Sequence, residues 1–287
     1  MFPEDSHGGT EDTEDAEINL KIINIKNPFN APVYHEETVS CTMDISRQLA
    51  SEGVTHGTVI TADFQTAGRG RIRGRVWEME REANLPFTIL LRYPRVEDIP
   101  PALTLRAGLA TALAIEDFAS SICSDHFDVK VKWPNDIMID GKKAAGILCE
   151  ANDGDVFLGI GINVAQKIFP ENLRNKATSI LLSMNREQLA VSSEQIIASD
   201  LRFLLLEKIL LRLYDELETE EGKDWRSRLE QRLFKRGEQI VFAEGAADSG
   251  NIVKGRPAGI GEGGELLIVQ EGEDVIRSFI NGEMRIY

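Results

Sequence analysis

The sequence predicts an α+β fold: a large domain of mixed strands and helices, followed by a small β-barrel. Three observations carry this. Thr58 to Phe64 alternates and is rich in β-branched residues, and several similar runs lie beyond it. Leu103 to Phe118 is apolar enough for a core helix. After Gly237 the chain becomes rich in glycine, with short strand-like runs at regular intervals.

The elements follow in order. Val33 to Glu37 reads as a short strand and Thr42 to Glu52 as a helix. Leu85 to Arg92 is a further strand, and Pro100-Pro101 stand just before the apolar helix, where proline is tolerated. Val129 to Lys132, Ile137 to Asp140, Ala144 to Ala151 and Val156 to Val164 read as strands, separated by turns such as Asp140-Gly141 and Asp153-Gly154. Ser192 and Gln195 form a capping box that opens a long helix to about Leu217, and a second short helix runs to Lys235. Beyond it, Gln239 to Ala243, Asn251 to Lys254, Glu265 to Val269 and Asp274 to Ile280 read as barrel strands. This divides the chain into an acidic tail and lead-in (1–30), a large domain (31–235) and a small one (236–287).

Composition narrows the function class. Three cysteines (Cys41, Cys123, Cys149) are an odd number without metal-ligand spacing, which fits a reducing compartment. The longest uncharged apolar run, Ala107 to Ile115, is about half of a bilayer span, and the N-terminus lacks a secretory signal. A cytoplasmic protein without a membrane partner is therefore expected. The net charge of −15 argues against broad nucleic-acid binding. Residues 1–17 hold seven of the acids and no lysine or arginine, and read as a disordered tail. Against this background Arg69, Arg71, Arg73 and Arg75 fall within seven residues. That reversal of sign fits either an anionic ligand or a solvated loop, and composition leaves both open.

Three segments concentrate the chemistry. In Gln65-Thr-Ala-Gly-Arg-Gly-Arg-Ile-Arg-Gly-Arg-Val-Trp77, directly after a strand, Gly68, Gly70 and Gly74 permit close backbone approach to an anion. The interleaved arginines add charge-assisted bonds to carboxylate or phosphate. A flexible solvated loop, or an arginine–glycine RNA-binding segment, is the competing reading; the latter is usually longer and set in a basic chain. Lys132-Trp-Pro-Asn-Asp136 ends a strand, where Asn135-Asp136 favours a turn. By itself that segment reads as a strand-ending turn, although a lysine and an asparagine there can also meet a nucleotide. In Lys142-Lys-Ala-Ala-Gly-Ile-Leu-Cys-Glu150 a lysine at a strand start is commonly solvated, while small residues at 144–146 admit a ligand or a neighbouring backbone.

All three segments occur together and in order. They resemble the biotin protein ligase family, with its GRGR loop, KWPND segment, K-x-A-G-I-L-x-E strand and G-I-G-I-N-V strand; here these are Gly68–Arg71, Lys132–Asp136, Lys143–Glu150 and Gly159–Val164. The resemblance spans roughly residues 33–235. It implies a class II synthetase-like catalytic domain, a mixed sheet flanked by helices, and likens Gly237–Tyr287, with its Gly282-Glu283, to the family's SH3-like domain. It implies that biotin and ATP, with Mg2+, give biotinyl-5′-AMP, from which biotin passes to a lysine of a biotin carboxyl carrier protein or biotin-dependent carboxylase. It further implies that Cys41, Thr42, Met43 and Gln65 surround the ureido ring. Gly68, Arg69, Gly70 and Arg71 border the carboxylate and adenylate, with Arg69 and Arg71 acting alongside Lys143, which offsets charge as the anhydride forms. Trp77, Lys132, Asn135 and Asn163 fall on the nucleotide side. Positioning and charge do the work, so no enzyme nucleophile and no resident metal are expected. His7, His35, His56 and His126 then read as surface or packing residues. The resemblance also allows a homodimer.

The chain departs from the family pattern in places. Arg71 to Trp77 is one residue longer than the family's loop, which bears on the register of Arg73, Arg75 and Trp77. Glu78 to Ala83 replaces a serine- and glycine-containing stretch, Cys41 replaces a serine and Met43 an amide. A lipoate-type ligase and a degenerate biotin-binding regulatory homologue are the alternatives. A DNA-binding form is not expected, because nothing before Val33 reads as a recognition domain.

Overall fold

The computed structural model describes residues 20–72, 74–122, 128–184, 198–245, 251–273 and 275–285. The acidic tail at 1–17, the Ser192/Gln195 capping box, Arg73, Cys123, His7 and His126 lie outside the described residues.

A mixed eight-stranded sheet forms the body. Its strands are β1 (Lys21–Ile22), β2 (Val33–Val39), β3 (Val59–Gln65), β4 (Asn84–Arg92), β5 (Val129–Lys132), β6 (Asp136–Ile139), β7 (Lys142–Asn152) and β8 (Asp155–Asn163), in the order β1-β2-β3-β4-β8-β7-β6-β5. β2 and β3 pair in parallel and the other neighbours are antiparallel. β1 comes from the lead-in, so part of that segment is built into the sheet. Asp140-Gly141 and Asp153-Gly154 make the tight turns, all four residues at positive φ. Gly154 is required twice over there, since a Cβ would stand 2.5 Å from the Tyr93 carbonyl oxygen.

The central strand β4 shows why helices cover both faces. Its residues alternate in direction, so Phe87, Ile89 and Leu91 join the main core while Leu90 packs with Cys41, Met43 and Phe157 on the other side. The first face carries α2 (Leu103–Ile122) and α4 (Ala198–Glu218), and the second carries α1 (Thr42–Ser51). Gly108 lets α2 approach β5 closely, its missing Cβ 3.2 Å from Val131. A short α3 spans Ile180–Ser183, and α5 spans Trp225–Gln231, ending before the expected Lys235. Glu216, buried on α4, binds Arg106 of α2 and Arg228 of α5, tying the three helices.

The C-terminal sheet is antiparallel: β9 (Ile240–Glu244), β10 (Ile252–Ile260), β11 (Leu266–Gln270), β12 (Ile276–Phe279) and β13 (Gly282–Arg285), in the order β12-β11-β10-β9-β13. The sequence reading has no counterpart for β13 as a strand. β12 and β13 lie on opposite edges, about 19 Å apart if the sheet were flat. Phe279 and Gly282 are separated by only two residues, a reach of about 11 Å. The sheet must therefore curl, which is the barrel expected from the sequence. It packs on the body through Trp133, whose Nε1 donates to the Gly264 carbonyl at 2.9 Å and whose ring lies 5.9 Å from that of Phe242. Among the described residues no helix is long and apolar enough to cross a membrane.

Candidate active site

A cavity opens on the α1 side of the sheet, over the middle of β4, β8 and β7. It is lined by Cys41, Thr42, Met43, Gln65, Arg69, Gly70, Arg71, Trp77, Asn135 and Lys143 from the expected set. Pro86 to Thr88, Gly146 to Leu148 and Gly159 to Gly161 complete it. The structure thus gathers most of the expected residues, from segments up to a hundred positions apart.

Part of the lining is neutral. Cys41 precedes α1 with an extended backbone and makes no capping bond. Thr42 opens the helix, and its backbone N–H donates to Gln65 Oε1 at 2.8 Å. The Thr42 hydroxyl lies 3.1 Å from the same oxygen and 2.9 Å from the Thr88 hydroxyl. The rest carries cations. Arg69 pairs with Asp44 at 2.8 Å, and Lys143 with Asp136 at 2.6 Å. Lys143 is fixed at the backbone, donating to Lys176 and accepting from Thr178.

The arginine loop folds into a small hairpin. Arg69 and Val76 bridge, Gly70 N–H donates to the Arg75 carbonyl, and Trp77 N–H donates to the Gly68 carbonyl. Gly74 takes φ +85° in its turn. Beyond the bridge Arg71 reaches the Gly282 carbonyl at 3.3 Å and Arg75 binds both oxygens of Glu283. Trp77 returns to the cavity wall, and Arg75 does not. The indole lies flat on two glycine positions: a Cβ on Gly161 would come within 2.7 Å of it, and one on Gly146 within 3.1 Å. Its Nε1–H is buried without a hydrogen-bond partner among the described residues. The free space left is about 60 Å³, against roughly 300–1,000 Å³ in ligand pockets. The hairpin and its tryptophan thus take up much of the space over these glycines.

Three expected residues are not on the cavity wall. Lys132 is buried behind it, 4.0 Å from Asp136. Burial pushes its ammonium below the ordinary lysine range, with Lys143 and Arg75 adding to this and Asp136 and Glu283 opposing it. Asn163 is consumed by structure, donating to the Thr178 carbonyl and accepting from Asn84. Gly68 carries the hairpin's closing bond. Asn135 reaches the wall, but its carboxamide is committed to the Ile147 carbonyl at 2.9 Å. Thr88, Gly146 and Gly161 had no role in the sequence reading; only the small residues at 144–146 hinted at close approach. Among the described residues no group of three or more His, Cys, Asp or Glu lies together as metal ligands.

The comparisons with known proteins agree with this geometry. The biotin/lipoate A/B protein ligase family profile matches residues 36–166. The bifunctional ligase/repressor BirA of Salmonella typhimurium is 30% identical over 240 residues, covering 80% of this chain and 67% of that protein. The chain belongs to the biotin protein ligase family. The corresponding protein of Bacillus subtilis is 40% identical over 159 residues, but that match takes in 52% of this chain and 45% of that one, so the chain spans about half the length of this relative. Among solved structures, biotin protein ligase from Aquifex aeolicus matches at TM-score 0.66 and 26% identity as a mutant with biotin. With biotin and ATP it matches at 0.64 and 25%; each comparison covers 88% of this chain and 97% of that one.

Proposed function

We propose that this protein is a biotin–protein ligase, which forms biotinyl-5′-AMP from biotin and ATP and passes biotin to a lysine of a biotin carboxyl carrier protein or biotin-dependent carboxylase. The observation that carries the proposal is the mixed lining of one cavity: Thr42 and Gln65, neutral and hydrogen-bonding, together with the cations Arg69, Arg71 and Lys143. A ligand with a neutral polar ring and a carboxylate tail suits that polarity, and the Aquifex relative is described with biotin and ATP.

In this mechanism Thr42 and Gln65 orient the ureido ring while Arg69 and Lys143 turn from Asp44 and Asp136 to the carboxylate and α-phosphate. Each then stabilises charge that grows in the transition state. ATP enters as its magnesium complex. Asp136 holds Lys143 before the anion arrives, and buried Lys132 restrains Asp136 from behind. Trp77, displaced from Gly161, is free to pack on adenine. The hairpin closing over the adenylate shields the mixed anhydride from water until the acceptor lysine attacks it. Residues 31–235 act as the catalytic domain and 236–287 as the SH3-like one, in a cytoplasmic protein.

The test is ATP–pyrophosphate exchange with biotin or lipoate added. Biotin-dependent exchange supports the proposal. Exchange driven by lipoate alone would favour the lipoate-type alternative, and binding of biotin without exchange the degenerate one.

A further inference from the structure

We infer that Thr88, by donating its hydroxyl proton to Thr42, is a positioning residue that holds the Thr42 hydroxyl in place as an acceptor toward the ligand. The inference rests on the biotin reading above and adds a residue to it. It comes from the donors and acceptors of Thr42, Gln65 and Thr88.

The Thr42 backbone N–H can only donate, and it lies 2.8 Å from Gln65 Oε1. This fixes the carboxamide with its oxygen toward Thr42 and its nitrogen away. That oxygen can only accept, so the Thr42 hydroxyl, 3.1 Å from it, gives its single proton there. The Thr42–Thr88 contact at 2.9 Å then has one direction left: Thr88 donates and Thr42 accepts. Thr88 is fully buried in β4, and no other acceptor competes for its proton among the described residues. The relay thus runs from Thr88 to Thr42 to Gln65.

Its consequence is a defined face toward the cavity. Thr42 retains one lone pair, and Gln65 retains both Nε2 protons, which have no partner among the described residues. An acceptor beside a donor matches a ring edge with N–H next to C=O, as in a cyclic urea. Without Thr88 the Thr42 hydroxyl keeps only its bond to Gln65, and the ligand's N–H meets an acceptor that is held less firmly.

The experiment is calorimetry of biotin binding to the full chain and its Thr88→Val, Thr88→Ser, Thr42→Val and double variants. Thr88→Val, nearly isosteric, is expected to weaken binding about fivefold, the scale of one neutral hydrogen bond. Thr88→Ser restores affinity, and in the Thr42→Val background Thr88→Val has no further effect. A purely structural role would weaken binding in both backgrounds, which overturns the inference, as does unchanged affinity in Thr88→Val. Failure of the unaltered protein to bind biotin would instead overturn the functional reading and this inference with it. If Thr88→Val does not fold, Thr88→Ala removes the same donor and is judged in the same way.

Discussion

Gly161→Ala tests the seat of Trp77 on the sheet. Gly161 is not at positive φ, so alanine fits its backbone, and a strand prefers alanine by roughly 0.5–1 kcal/mol. The new Cβ would stand 2.7 Å from Trp77 Cε2 and 3.0 Å from two further indole atoms. Ordinary contact begins at 3.4 Å, so the indole must lift by about 0.7 Å (3.4 − 2.7). Overpacking of this kind costs about 1–3 kcal/mol. After the strand preference is offset, a loss of about 1 kcal/mol remains, most of it falling on the hairpin rather than the core. In the proposed mechanism the ligand displaces the tryptophan from this seat, so a loss confined to the free protein should tighten biotin-plus-ATP binding about fivefold. Tryptophan fluorescence of the free protein should shift at the same time. Calorimetry and emission spectra of Gly161→Ala, with Trp77→Ala and the double variant, read both effects. The double variant should match Trp77→Ala alone. A Gly161→Ala protein with unchanged spectrum and affinity would refute the packing argument, and so would a double variant that adds the two effects.

Four further outcomes follow from the same geometry. Lys143→Ala should lower biotin-dependent pyrophosphate exchange about a hundredfold or more, while its melting temperature barely moves, because the Asp136 pair is partly exposed; near-normal exchange would remove Lys143 from the mechanism. Cys41→Ser should keep or tighten biotin binding and add up to about 1 kcal/mol of stability, since Cys41 precedes α1 without a capping bond and serine supplies one; marked weakening by calorimetry would contradict it. Trypsin should cut the free protein at the exposed hairpin arginines, and biotin with ATP should protect them; equal cleavage in both states would show that the hairpin does not close. Burial pushes the Asp63 carboxyl up, but Arg202 and His35 outweigh it and hold it below the ordinary 3.8. Its stabilisation is therefore present above about pH 4 and lost as the pH falls below that, so Asp63→Asn should lower stability at pH 7 and flatten the acid limb of a melting-temperature profile.

The motifs made the cavity legible because each carries its chemistry in contiguous residues. Gly68–Arg71, Lys132–Asp136 and Lys143–Glu150 announce themselves in sequence, and the fold brings their side chains to one cavity and its immediate backing. The strands were legible for a similar reason, their alternation and Asp-Gly turns being local. What escaped depends on distant partners. Lys132 and Asn163 sit within matching motifs, yet burial against Asp136 and the Asn84–Thr178 network turns both away from the cavity. Thr88 looked like any strand threonine until α1 brought Thr42 against it. Gly161 and Gly146 read as strand glycines, and only the return of Trp77 across them explains why no side chain fits. The place of Arg75 could not be read from sequence, because Glu283, the partner that takes it up, lies 208 positions away.

The most direct measurement is the mass of a biotin carboxyl carrier domain after incubation with this protein, biotin and magnesium-ATP. The account predicts a gain of one biotinyl group on one lysine, dependent on ATP and abolished with Lys143→Ala. A carrier of unchanged mass, or one modified only when lipoate replaces biotin, would contradict it.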